Sequence, residues 1–312
     1  MTQIFRGFWH GPSLSAYELL CMRSVVRLGH TFELYTYDPA IEVPDWIERR
    51  NANDILPADH VMVYQTGSGA GSPSLHSNIF RYELMHQLGG WWLDLDVLML
   101  RSDGIVEGDF YAVDARDKLL TAVMRFDKGH RLLQEAIERC RSVKECESVW
   151  GQTGPDLIHE LITKHGLRDR AQPAITVVPI DFSDIDVVFD PGRSEDVFAV
   201  CAESSFVHLF NEMRRASGFP REAGPPKGSF LDRLFDLYDL KVSFPYRLEY
   251  PSLKRWLGNH IDFNTHKTLH ETYKHQYEEA RRNLIAINDR RTKLERELES
   301  LLKSLRKKHR TR

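Results

Sequence analysis

Two aspartates one residue apart interrupt an apolar stretch, and their side chains are the ones best suited to carry chemistry in this chain. Asp94 and Asp96 stand within residues 91–100, where the other side chains are apolar. In a strand, alternate residues share a face, so both carboxylates would lie on one side, roughly 7 Å apart. Two ionised carboxylates buried among apolar groups are costly unless a cation meets them. Hard oxygen ligands suit magnesium, calcium and manganese, so the spacing predicts a metal site on this strand. The alternative is that both aspartates end the strand and face water.

A helix and a glycine pair precede the two aspartates and must position them. Phe80, Leu84 and Leu88 recur at steps of four, which predicts an amphipathic helix. The glycines at 89–90 end that helix, because glycine readily adopts the left-handed conformation needed there. A glycine-rich loop at 67–74 leads into the helix and is predicted to form a flexible border of the site.

The remaining pattern predicts an α/β domain that ends near residue 240. Ser15 and Glu18 form a capping box for a helix that ends at Gly29, between strands at 3–9 and 31–37. This strand–helix–strand order predicts a parallel pair. The other predicted elements are helices at 45–50, 131–140 and 155–162, strands at 110–113 and 119–126, further strands within 174–179 and 198–210, and a lid at 214–229.

Composition favours a globular cytoplasmic protein. The 312 residues are 42% apolar, which is enough for a sizeable core. No apolar run approaches the roughly 20 residues of a membrane-spanning helix, and the first residues read as a strand rather than a secretory leader. The four cysteines lack paired metal-ligand spacing and are expected to be reduced thiols.

The C-terminal part of the sequence is basic and has a heptad pattern. Residues 264–312 hold 14 Lys and Arg against 7 Asp and Glu, which leaves 28 against 38 in the rest of the chain. Apolar residues alternate three and four apart there, which predicts a coiled coil and a homo-oligomer. Its last ten residues, 303–312, carry six Lys and Arg and no acid, which favours peripheral contact with an anionic membrane face. The predicted division is a domain at 1–240, a linker at 241–263 and the coiled coil at 264–312. No nucleic-acid partner is predicted.

Three separated motifs resemble those of the glycosyltransferases with the DXD sugar-binding motif. That group comprises family 32-like enzymes, capsular-polysaccharide sugar transferases and the glucosylating domains of the large clostridial toxins. The central motif is HSNIFRYELMHQLGGWWLDLD, with the flanking motifs FWHGPSLSAYELLCMRS and VHLFNEM. Asn78 stands where the family mostly has aspartate, and the family's Ser-Trp after the last motif is absent. The resemblance covers roughly residues 3–235.

The resemblance implies a GT-A fold, a nucleotide-sugar donor (a UDP-sugar is favoured), Mn²⁺ or Mg²⁺, and retention of anomeric configuration. It implies hexose transfer to a glycan or lipid-linked acceptor, in bacterial surface polysaccharide synthesis. The implied catalytic residues are Asp94, Asp96 and Arg81. The implied donor-binding residues are Trp9, Ser77, Asn78, Arg81, Tyr82, Trp92, Asp94 and Asn211. The implied metal ligands are Asp96, Asp94 and His208.

Two other functions fit the central motif. In a haloacid dehalogenase-type phosphatase, Asp94 would attack phosphorus and Asp96 would act as acid and base. No matching acid cluster follows, because Asp181, Asp184 and Asp186 are spaced differently. A scaffold whose domain only binds sugar is the non-enzymatic alternative. For single residues, core packing of Trp9 and His208 and an ion pair at Arg81 remain open.

Overall fold

The first elements form a parallel βαβ unit. The computed structural model describes residues 2–67, 69–216 and 218–254. Strand β1 (Ile4–Trp9) is followed by helix α1 (Ala16–Arg27) and strand β2 (Thr31–Thr36). The predicted capping box is present, since Ser15 accepts the Tyr17 N–H and Glu18 accepts the Ser15 N–H. The strands pair in parallel over their whole length, which confirms the predicted pair.

A strand replaces the helix predicted at 45–50. Strand β3 (Glu48–Asn51) pairs in parallel with β2, and all four of its side chains are exposed. The open edge of β2 offers hydrogen-bond partners to the backbone of residues 48–51. This pairing outweighs the weak local preference of the segment for a helix. Charged side chains on β3 also protect this edge from pairing with another chain.

The aspartate pair lies in a turn between two sheets, so the prediction that both carboxylates share one strand face is wrong. Helix α2 (Ser74–Leu88) leads through the glycine pair into strand β4 (Gly90–Leu93), and strand β5 (Val97–Met99) follows. Val97 donates its N–H to the carbonyl of Asp94 (3.1 Å), which closes the turn. The apolar run therefore contains two short buried strands rather than one long strand.

Two sheets give the chain its mixed α/β architecture. The five-stranded sheet has the order β3-β2-β1-β4-β6, in which β6 (Val123–Phe126) runs antiparallel to β4 and the other pairs are parallel. Strand β5 pairs antiparallel with β7 (Phe206–His208) in a separate sheet. The remaining helices are α3 (Arg131–Ser142), α4 (Pro155–Lys164), α5 (Ser194–Val200), α6 (Asn211–Ala216) and α7 (Phe230–Leu237).

Several predicted strands are shorter than expected or absent. Residues 110–113 form only isolated bridges, and 119–126 contributes only β6. The strand predicted at 174–179 is wrong, because Ala174–Thr176 is a 3-10 turn. The range 198–210 contributes only β7, since its first residues complete α5 and a 3-10 turn. The helices at 131–140 and 155–162 are confirmed.

The large sheet is covered on both faces. Adjacent tryptophans of β4 point to opposite sides: Trp91 stacks on Phe5 (ring centroids 5.3 Å apart), while Trp92 faces Phe80 of α2 (6.4 Å). Helices α2, α3 and α4 pack on the Trp92 face, and α1 packs with the second sheet on the Trp91 face. Because β1 and β4 are parallel neighbours, their carboxyl ends bring Trp9 and Asp94 to the same edge.

The last described residues pack onto the domain. Gly224 donates its N–H to the carbonyl of Tyr246 (2.8 Å), and Tyr250 donates its hydroxyl to Asp186 (2.9 Å). The predicted coiled coil and its basic end lie outside the described residues. Within the described part of the chain, no helix is both long and apolar enough to cross a membrane.

Candidate functional site

Pairing between β5 and β7 brings a histidine and a helix start to Asp96. In this register Val97 lies opposite His208, so the residue before Val97 faces the end of β7. Asp96 Oδ2 lies 3.3 Å from His208 Nε2 and accepts the backbone N–H of Asn211 at 2.7 Å. The turn at 94–96 is thereby joined to the start of α6.

Asp96 and His208 stabilise each other's charged form. Burial alone would raise the pKa of Asp96, but the facing His208 and the Asn211 N–H bring it below its usual value. Burial alone would lower the pKa of His208, and Asp96 more than offsets this and raises it. Asp96 is therefore held as a carboxylate.

Asp94 lies in a different environment, although it is only two residues away. Its Oδ1 accepts the indole N–H of Trp92 (2.7 Å) and lies 3.3 Å from Arg81 Nη2. Burial raises the pKa of Asp94, and Arg81 opposes the shift without cancelling it. Its side chain stays 24% exposed, so this carboxylate can still meet a ligand.

Arg81 is almost fully occupied by the protein. Its side chain is 4% exposed, and Nη1 donates to the Thr121 carbonyl at 2.7 Å. Nε donates to the Ser77 carbonyl (3.3 Å), and Nη2 reaches the Ser77 hydroxyl (3.4 Å). The guanidinium also lies over the Trp92 ring, 5.1 Å from its centroid. Four predicted site residues thus converge, with Ser77, Arg81 and Trp92 arranged around Asp94.

Trp9 is connected to Asp96 through Arg221, Glu18 and Asn211. The first two are not among the site residues predicted from the sequence. The Arg221 guanidinium lies 5.0 Å from the Trp9 ring centroid and pairs with Glu18 at 2.9 Å. Glu18 Oε1 in turn accepts the Asn211 side-chain N–H at 3.1 Å. The capping role of Glu18 masked this second function, and no local pattern in the sequence identifies the partner of Arg221.

Asn78 and Tyr82 lie on the same helix but bind a loop rather than the aspartates. Asn78 Nδ2 donates to the Thr153 hydroxyl (3.1 Å) and to the Tyr64 hydroxyl (3.4 Å). The Tyr82 hydroxyl donates to the Thr153 carbonyl at 3.0 Å. Both side chains are buried. Their predicted contact with a donor stays a prediction.

The residues around Asp96 fit a metal ion held jointly by protein and substrate. Among the residues that the structure describes, no three His, Cys, Asp or Glu side chains form a ready cage. Asp96 Oδ2 and His208 Nε2 face each other at 3.3 Å, and Asn211 Oδ1 is buried without a hydrogen-bond partner in that same part of the chain. A carboxylate, an imidazole and an amide oxygen suit Mn²⁺. Phosphate oxygens of a substrate commonly complete such a site.

Comparison with known proteins identifies one conserved region. Residues 125–233 match the family model described as the alpha 1,4-glycosyltransferase conserved region. This range contains His208, Asn211 and Arg221, whereas Asp94 and Asp96 precede it. No curated protein sequence matches the chain.

Solved structures give distant similarities. PaToxG glycosyltransferase is 11% identical, with 77% of this chain and 87% of that chain covered and a TM-score of 0.39. The glycosyltransferase GlyE of Streptococcus pneumoniae TIGR4 is 11% identical, with 83% of this chain and 63% of that chain covered and a TM-score of 0.36. A transferase carrying two cysteine-to-serine changes is 12% identical, with 53% of this chain and 84% of that chain covered and a TM-score of 0.32. At these scores the similarities assign neither residues nor substrates.

The conserved region decides the enzyme class. It covers less than half of the chain and names no donor or acceptor for it. Nothing in the comparisons supports the phosphatase alternative. The predicted class is confirmed: the chain is a glycosyltransferase.

Proposed function

We propose that the chain transfers a hexose from a nucleotide sugar, with a UDP-sugar favoured, to a glycan or lipid-linked acceptor in surface polysaccharide synthesis. The proposal rests chiefly on one observation: Asp94 and Asp96 share a turn, yet they meet different partners. Asp94 contacts Trp92 and Arg81, whereas Asp96 contacts His208 and the Asn211 N–H. This difference gives the two carboxylates different tasks on one ligand.

Asp96 is the residue suited to the diphosphate end of the donor. It is charged, its Oδ2 lies 3.3 Å from His208 Nε2, and the nearby Asn211 Oδ1 is buried without a hydrogen-bond partner among the described residues. These three side chains would hold Mn²⁺ or Mg²⁺. A bound ion there supplies charge neutralisation for the departing diphosphate.

Asp94 is the residue suited to the sugar or ribose hydroxyls. Trp92 and Arg81 fix one of its oxygens, while the side chain remains partly exposed. Arg81 already engages Thr121, Ser77 and Asp94, so its proposed catalytic contribution is to orient Asp94. A carboxylate fixed in this way loses little conformational freedom when it accepts a hydrogen bond from a hydroxyl group.

Trp9 is proposed to stack against the nucleotide base. It is half-buried at the carboxyl end of β1, where the edge of the sheet meets the Asp94 turn. Arg221 lies over one face of the same ring, so a bound base would take the place of this guanidinium or stack on the opposite face. Stacking of this kind contributes about 1–3 kcal/mol per base.

The C-terminal region is proposed to assemble copies of the chain and to bring its basic end to the inner membrane face. This proposal depends on the heptad pattern of 264–312 and the charge of 303–312. A lipid-linked acceptor would be reached at that surface. Vesicles of anionic lipid should bind the protein better than neutral vesicles at low salt, and equal binding would count against this part of the proposal.

Donor hydrolysis tests the proposed reaction. With Mn²⁺ and no acceptor, the protein should slowly release nucleoside diphosphate from at least one of a panel of UDP- and GDP-sugars, because water can replace the acceptor. Asp94→Asn should reduce this rate about a hundredfold through lost positioning, and Asp96→Asn should abolish it. The matched control is Asp103→Asn, since Asp103 is an exposed aspartate paired with Arg101. Cleavage of aryl phosphates without any nucleotide-sugar hydrolysis would overturn the assignment.

A further inference from the structure

A half-exposed tryptophan lies on the glycine-rich loop that precedes α2. Trp150 is 42% exposed, and its neighbour Val149 is 64% exposed. The Trp150 ring packs against the buried Tyr64, with ring centroids 5.1 Å apart. A Cβ atom at Gly69 would collide with this indole, so the ring rests directly on the Gly69 backbone.

The loop that carries Trp150 is held by its own hydrogen bonds. Val149 donates its N–H to the Gln152 side chain and accepts the Gln152 N–H, both at 3.1 Å. Three residues after Trp150, Thr153 is held by Asn78 and Tyr82. These two residues, which are also predicted to contact the donor, attach the tryptophan loop to α2.

Contacts on two sides connect the surroundings of Trp150 to the elements that carry the proposed donor site. On one side, α2 carries both Asn78 and the Arg81 that fixes Asp94. On the other side, the glycine-rich loop is tied to α6, since Arg215 donates to the Ala70 carbonyl (3.2 Å) and the Ser72 hydroxyl donates to Glu212 (3.1 Å). Helix α6 begins at Asn211, whose N–H binds Asp96.

We infer that Trp150 is the platform on which the acceptor's sugar ring stacks during transfer. This inference rests on the proposed function, because it assumes a donor at Asp94 and Asp96. One face of a sugar ring presents C–H groups that pack on an aromatic surface, whereas its edge carries hydroxyls. Polar partners for that edge lie beside the platform, where exposed Asp156 pairs with Lys118 and donates its N–H to the Gly151 carbonyl. A rigid indole also binds with little loss of conformational freedom.

Glycoside binding tests the platform directly. Saturation-transfer NMR would compare the methyl β-glycosides of glucose, galactose and N-acetylglucosamine in the presence of UDP and Mn²⁺. We expect the ring protons of at least one glycoside to be saturated by the wild-type protein. Trp150→Ala should weaken this signal at least fivefold, and Trp150→Phe should retain much of it. Val200→Ala, at an exposed apolar residue of α5, should leave it unchanged.

Kinetics separate this inference from the proposed function. In Trp150→Ala the ratio of glycosyl transfer to donor hydrolysis should fall about tenfold, with the change in the KM for the glycoside. Equal NMR signals for the wild type and Trp150→Ala, no signal in the wild type, or an unchanged ratio would each overturn the inference. Absence of donor hydrolysis in the wild type would instead refute the proposed function, while the NMR comparison would still decide whether Trp150 binds sugar.

Discussion

Replacement of Glu18 tests whether this residue joins the Trp9 side of the proposed site, through Arg221, to the Asp96 side, through Asn211. Its carboxylate is 5% exposed and meets three separate segments. Oε2 accepts the Ser15 N–H (2.6 Å) and pairs with Arg221 (2.9 Å), while Oε1 accepts the Asn211 side-chain N–H (3.1 Å). The perturbations are Glu18→Ala and Glu18→Gln.

Glu18→Ala should lower the free energy of unfolding by about 3 kcal/mol. Loss of the capping contact costs about 1 kcal/mol, and loss of the charged hydrogen bond to Asn211 about 1.5 kcal/mol. The Arg221 pair adds roughly 0–1 kcal/mol, because Arg221 is 45% exposed. For a domain of this size the sum lowers Tm by roughly 6–12 °C.

Glu18→Gln should cost less than Glu18→Ala, about 1–2 kcal/mol. Its amide oxygen can keep the Ser15 contact, and its NH₂ group can donate to Asn211 Oδ1 once the Asn211 amide turns over. The Asn211 NH₂ group then loses its carboxylate acceptor, and the ion pair with Arg221 is lost. Nucleotide affinity should still fall, because Arg221 no longer bridges Glu18 and Trp9.

Thermal unfolding and a UDP titration of both variants provide the assay. Glu195→Gln is the matched control, since Glu195 is 84% exposed and pairs with Arg233 on the surface. Equal losses of Tm in the two Glu18 variants, or no loss in Glu18→Ala, would refute the reasoning.

Three further changes have defined outcomes. Trp9→Ala should weaken UDP binding by about 1–3 kcal/mol if the base stacks there, and unchanged affinity in a calorimetric titration would contradict this. Burial lowers the pKa of His76 from 6.5 to about 4, so the unfolded chain takes up this proton first and stability should fall as the pH drops between those values. His76→Gln should reduce that slope in urea unfolding at several pH values, and an identical slope would exclude His76 as its source. Removal of 264–312 should convert an oligomer into a monomer by light scattering, and a monomer from both proteins would remove the coiled-coil prediction.

Local chemistry accounts for the elements that the sequence predicts correctly. The capping box at Ser15 and Glu18, the glycine pair at 89–90 and the proline that begins α4 each act within one helix end. The parallel pairing of β1 with β2 also follows from neighbouring elements. These signals need no knowledge of distant residues.

Non-local pairing accounts for the errors. Strand β3 forms because β2 offers an edge, and the turn at Asp94 and Asp96 forms because β4 and β5 join different sheets. His208 approaches Asp96 because β5 pairs with β7, and these two strands lie more than a hundred residues apart in the sequence. The sequence could therefore nominate Asp94, Asp96 and His208, but it could not predict that Glu18 and Arg221 connect Trp9 to Asn211.

Metal-dependent nucleotide binding tests the central claim most directly. Calorimetric titration of UDP should show at least tenfold tighter binding with Mn²⁺ than with EDTA, a difference of about 1.4 kcal/mol. Asp96→Asn should lose this dependence, and Asp103→Asn should keep it. Equal UDP affinity with Mn²⁺ and EDTA, or full Mn²⁺ dependence in Asp96→Asn, would contradict the assignment of the donor site to the turn that holds Asp94 and Asp96.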